Sequence, residues 1–237
     1  MVGEKKRIYP MGGRQNYNPI FYSDIALRNY VRAKERFGEL DFSADGFEED
    51  LSFDVFIEHS ISTIIFSTMC IEAYLNDYAA ACLGDDEFYG YFDKLSIEGK
   101  FALVGKFVLS IEVNKSQSYY SRLKRLIRER NQYTHSKSKS IAGYKALEDI
   151  PELSDEDLSR LEEAGIDPVP YRELLDSAKN ALLTIRDIAL FFDAHDSGAD
   201  AIERLFCHGA EILDKNGKDI RNKILRELRI KNTVVKS

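Results

Sequence analysis

Residues 53–83 read FDVFIEHSISTIIFSTMCIEAYLNDYAAACL, and this stretch carries the strongest periodic signal in the chain. Ile57, Ile61, Ile64, Ile65, Thr68, Leu75 and Ala79 fall at three- and four-residue steps or their multiples, the spacing of one helix face. The run is longer than the average helix of ~12 residues, and Gly84-Asp85-Asp86 closes it. One residue breaks the stripe. Glu72 follows Ile65 by seven residues and Thr68 by four, with Asn76 one turn later. A carboxylate on an apolar face requires a partner, because burying it charged and alone costs several kcal/mol. The favoured partner is Arg130, which interrupts another apolar stripe.

Working outward, a first helix is expected over Asn18–Phe37, with Ile20, Leu27 and Val31 on one side. Ser96 is a suitable N-cap for a helix bearing Ile97, Phe101, Val104 and Val108. Pro170 starts a long helix to about Ala194, with Leu174, Ala178, Leu182, Ile185, Ala189 and Phe192 inward. A short helix over Ser154–Glu163 serves as a connector, and another is expected over Asp200–Leu213. No segment alternates with period two, and no repeat recurs. The expectation is an all-α fold, an antiparallel bundle of about four long helices with additional short ones. Residues 1–17 read as a flexible arm, 18–214 as the bundle, and 215–237 as a basic tail.

Composition narrows the class. Hydrophobic content of 44% with 31% charged residues describes a soluble globular protein, and no uninterrupted apolar run approaches the ~20 residues of a membrane span. The basic N-terminus lacks an apolar region behind it, so a secretory signal is not expected. The three cysteines show no CxxC spacing and read as reduced thiols of a cytoplasmic protein. The four histidines form neither HxxxH nor HExxH, which argues against a zinc site. His59 reads as an ordinary partly exposed histidine and His195 as a helix C-terminal one; His208 and Cys207, being adjacent on a helix, cannot face each other.

The net charge of −7 conceals an asymmetry. Residues 122–140, RLKRLIRERNQYTHSKSKS, hold seven basic residues to Lys139 against Glu129 alone, so an acidic protein can present a basic surface to a polyanion. Leu123, Leu126 and Ile127 form a helix stripe that runs into Arg130, followed by Asn131 and His135. A cation, an amide and an imidazole converge where a helix leaves the core.

The IEAYLN helix, the LSIEGKFALVGKF helix and RNQYTH at the end of a third resemble the HEPN superfamily (higher eukaryotes and prokaryotes nucleotide-binding domains). The likeness spans about Asn18–Ser140. Arg130, Asn131 and His135 match the family's pattern of an Arg, a polar residue and a His after four to six intervening residues. Glu72 occupies the place of the acidic residue that many members carry on the preceding long helix. The resemblance implies metal-independent endoribonuclease activity of toxin or antiviral-defence type, with no cofactor. It also implies a homodimer that brings together His135 from each subunit, with RNA as substrate and an antitoxin or regulatory protein as a further partner.

In that reading Arg130, His135 and Asn131 are catalytic, and Glu72 and Asn76 are supporting. Lys137, Lys139 and Arg128 guide the RNA backbone. One departure narrows the pairing: toxins silenced by a partner nucleotidyltransferase share a Tyr two residues after the His, where this chain has Lys137. Two alternatives stand beside this one. Either the Arg/Asn/His set only binds a nucleotide or RNA or supports a dimer, or the Glu72–Arg130 pair merely locks two helices.

Overall fold

The computed structural model describes residues 8–10, 17–43, 51–134, 167–207 and 211–230. Among these the fold is all-α. Four long helices carry it: α1 (Asn18–Phe37), α2 (Leu51–Leu83), α5 (Ser118–Thr134) and α6 (Val169–His195). Between α2 and α5 lie the single turn α3 (Asp85–Glu87), a π-turn over Phe88–Phe92, α4 (Ile97–Leu103) and a second π-turn over Val104–Val108. Ser96 caps α4 as expected, its Oγ accepting the Gly99 N–H at 3.1 Å.

Ring contacts and one hydrogen bond fix the helix directions. Phe37 meets Phe56 and Tyr22 meets Phe66, so α1 runs antiparallel to α2. Phe53 meets Tyr171 and Tyr78 meets Phe192, so α2 and α6 run parallel. Tyr119 meets Phe191 and Arg125 meets Ser177, so α5 is antiparallel to both.

Helix α2 is the centre of the molecule, because it is apolar on more than one face. Phe56, Ile64, Ile71, Tyr74, Leu75 and Tyr78 are all deeply buried, whereas Ile57, Ile61 and Ile65 of the anticipated stripe are only half-buried. Its small polar residues Ser60, Thr63 and Ser67 are sealed against neighbours, and Thr63 returns its hydroxyl to the His59 carbonyl at 2.8 Å. By length and composition α2 is the one described helix able to cross a membrane. Here its buried rings pack against α1 and α6. Cys70 is buried and Cys82 half-buried, both as free thiols; burial pushes the Cys82 thiol up to about 12.

Three boundaries differ from expectation. Tyr9, within the arm assigned to 1–17, is 1% exposed. Its N–H and that of Ile8 donate to the two carboxylate oxygens of Asp196 at 2.8 and 2.7 Å, and Arg204 stacks over its ring. Part of the segment assigned as a tail, residues 221–230, also joins the core. Residues Arg221–Glu227 form α7, which buries Ile224 and Leu225, and Leu228 and Ile230 just after it are buried too. Arg221, itself buried, pairs with Asp24 of α1 at 2.8 Å.

The helix expected over Asp200–Leu213 is shorter. Asp193 accepts the N–H groups of Ala201 and Ile202, starting a turn that runs through a π-segment over Glu203–Cys207. By Leu213 the chain is extended and bridges Asp219 across a turn in which Gly217 takes a φ of 74°. The connector assigned to Ser154–Glu163 lies outside the described residues.

Candidate functional site at the end of helix α5

Helix α5 is amphipathic. Tyr120, Leu123 and Leu126 are buried, and the opposite side is a row of cations. Three polar ties hold it to α6. Arg122 pairs with Asp187 at 2.7 Å, Arg125 donates to Ser177 Oγ at 3.1 Å, and Ser177 donates to Glu129 at 3.2 Å. Arg125 also pairs with Glu129 one turn on, at 2.7 Å. These partners take up Arg125 through two nitrogens and Arg122 through one, the Arg122 Nε being left buried without a hydrogen bond.

The last turn is different. Arg128 is exposed and Arg130 half-buried, and neither pairs with a described carboxylate. The Arg130 Nε is buried and has no hydrogen-bond partner among the described residues. Thr134 donates back to the Arg130 carbonyl at 2.9 Å, so the helix end stays hydrogen-bonded while the guanidinium is left over. Asn131 is exposed beside it. Tyr133 completes the turn; burial, then Glu129, push its phenol up. His135, Lys137 and Lys139 lie outside the described residues.

Glu72 does not meet Arg130. Its carboxylate accepts from Lys100 Nζ at 3.1 Å, and Lys100 is the buried member of the pair. The helix directions explain why. Phe101 and Tyr119 both meet Phe191, so the Glu72–Lys100 pair sits level with the start of α5. Arg130 is at the opposite end, roughly 17 Å further along the axis at 1.5 Å per residue. Asn76 lies one turn beyond Glu72 on α2, half-buried, with its Oδ1 unpartnered. The expected supporting pair is therefore separated from Arg130 and Asn131.

The remaining histidines divide. His195 ends α6, its Nδ1 on the Phe191 carbonyl at 2.7 Å. His59 is held by Asn29, an arrangement that spacing did not reveal because the two residues sit on different helices. Also unforeseen was Asp196, 1% exposed. Burial pushes its carboxyl up, but hydrogen bonds from Tyr78 and from the N–H groups of Ile8, Gly198 and Tyr9 outweigh that and hold it below the usual range. It fastens the chain and is enclosed, so it offers no chemistry. Among the described residues no three His, Cys, Asp or Glu side chains are grouped to hold a metal. Compared with protein-family models, curated proteins and solved structures, the chain matches none.

Proposed function

We propose that this chain is a metal-independent endoribonuclease of toxin or antiviral-defence type, a HEPN-like protein whose α1, α2, α5 and α6 are the four long helices of the family's antiparallel bundle. One observation carries the reading. Arg122 and Arg125 of α5 each reach a partner on α6 through a terminal nitrogen, whereas Arg130, at the place the motif requires, pairs with no described carboxylate and keeps a buried Nε without a partner among the described residues. A guanidinium can give two parallel hydrogen bonds to a phosphate, which suits it to the charge that builds on phosphorus oxygens during cleavage.

The chemistry follows from the residue types. An imidazole of His135 takes the proton of the 2′-hydroxyl, and the 2′-oxygen forms a bond to phosphorus. The bond from phosphorus to the 5′-oxygen breaks, and that oxygen takes a proton from a second imidazole. The products are a 2′,3′-cyclic phosphate and a 5′-hydroxyl. Because each chain offers one His in the motif, a two-fold homodimer supplies the second. Asn131 orients the ring or holds phosphate, and Arg128, Lys137 and Lys139 guide the backbone of cytoplasmic RNA. A regulatory or antitoxin protein would act by covering this seam. Glu72 and Asn76 have no part in the cycle; Glu72 anchors α4 through Lys100 instead.

The test is incubation of wild type, Arg130→Ala and His135→Ala with total RNA in EDTA. Cleavage by wild type only, leaving cyclic phosphate ends, is expected. Equal cleavage by all three, or loss of cleavage on chelation, refutes the reading. RNA bound by wild type and left uncut makes the chain a binding module.

A further inference from the structure

The C-terminal half of α1, the third turn of α2 and the turn over 211–219 line an open polar cavity of about 360 Å³. Its walls are Arg32, Glu35, Arg36, Glu39, His59 and Lys215. Both carboxylates are already engaged. Glu39 accepts from Lys215 Nζ at 2.9 Å and from Arg36 at 3.0 Å, and Glu35 accepts the Lys215 N–H at 3.2 Å. Arg32, exposed at the mouth, has no described partner. With those ties made, the walls carry three cations against two anions, and one cation is uncommitted.

His59 supplies the second polar feature. Asn29 donates its amide N–H to the Ile25 carbonyl at 2.9 Å, which turns its Oδ1 toward the imidazole. That oxygen lies 2.8 Å from His59 Nδ1, so Nδ1 carries the proton and Nε2 keeps the lone pair. Burial, then Arg32, lower the His59 pKa against the opposing Glu58, which keeps the ring neutral at pH 7. A neutral acceptor faces away from a bare anion, and it calls for a ligand hydroxyl. The volume exceeds what one phosphate needs and falls in the range of small-ligand pockets. Glu35 and Glu39 on the walls disfavour a long polyanion.

We propose that this cavity binds a small phosphomonoester carrying a nearby hydroxyl, of pentose-phosphate size. The phosphate meets Arg32, and the hydroxyl donates to His59 Nε2. Such a site is separate from the end of α5 and stands whether or not the chain cuts RNA.

The experiment is calorimetric titration of the full chain with ribose 5-phosphate, ribose and inorganic phosphate. Variants are Arg32→Ala, His59→Ala and, as a control on α1 outside the cavity, Arg28→Ala; thermal unfolding verifies that each is folded. Ribose 5-phosphate should bind wild type more tightly than phosphate does, and ribose should not bind. Arg32→Ala should weaken ribose 5-phosphate by about tenfold or more. His59→Ala should erase the preference for ribose 5-phosphate over phosphate, and Arg28→Ala should change nothing. No binding to wild type overturns the proposal, as does equal weakening by Arg28→Ala and Arg32→Ala. Phosphate binding wild type as tightly as ribose 5-phosphate overturns it too. Should His59→Ala not fold, His59→Phe serves instead; that variant must weaken ribose 5-phosphate while sparing phosphate, and failure to do so also overturns the site.

Discussion

Lys100 and Glu72 meet at 3.1 Å with opposite exposures: the ammonium is 3% exposed and the carboxylate 39%. The lysine stem runs through the apolar packing of α4, and the head reaches out to a carboxylate at the surface of α2. Removing the carboxylate strands a buried cation, while removing the cation leaves a carboxylate with access to water.

The asymmetry is measurable. Glu72→Gln should lower stability by about 1–3 kcal/mol, less than a fully enclosed pair would lose because Glu72 is partly solvated. Lys100→Met should cost less. Urea denaturation of both variants checks this, and RNA cleavage by Glu72→Gln should equal that of wild type. A nuclease defect in that variant would place Glu72 back beside Arg130.

Asp196 joins the N-terminal segment to the end of α6. Asp196→Asn keeps the shape but offers two donors where four hydrogen-bond donors converge. A loss of about 2–4 kcal/mol is expected, with faster amide exchange at Ile8 and Tyr9. Because its folded pKa is depressed, the stability it contributes is present at neutral pH and is lost as pH falls through that folded value.

His59 should be visible in the pH dependence at milder acidity. Its folded pKa is lowered by burial and then by Arg32, so the unfolded chain binds the proton more readily. Stability is therefore complete above the ordinary value of about 6.5 and declines as pH falls toward the depressed one. Chemical denaturation at about pH 7.5 and about pH 5.5 should show a drop that His59→Gln diminishes.

Gly105 sits in the π-turn after α4, where an added Cβ would lie 2.5 Å from Val113 Cγ2. Valine is stiff about χ1 and cannot retreat. Gly105→Ala should cost about 1–3 kcal/mol and lower the melting temperature, whereas the same change at Gly90, with open space around it, should leave it almost unmoved.

Local signals were the legible ones. The span of α1, the Ser96 cap and the course of α6 follow from periodicity and capping residues that act within a few positions. What stayed hidden depends on distant partners. Lys100 takes Glu72 because α4 folds back on α2, and nothing in the spacing of either helix records that. The C-terminal charges masked Ile224, Leu225, Leu228 and Ile230, which are apolar enough to dock once Arg221 finds Asp24. At the site, Arg130 and Asn131 were found where a stripe ends in polar residues, and His135 lies beyond the described helix.

The Asp24–Arg221 pair spans 197 positions, and the Tyr9–Asp196 bond spans 187. A ribosome releases Arg221 long after Asp24, so a growing chain that has not reached α7 holds α1 and α2 with an uncovered apolar flank. Completion of the core must await the synthesis of α7, and translation products that stop before Arg221 should be substrates for chaperones and proteases.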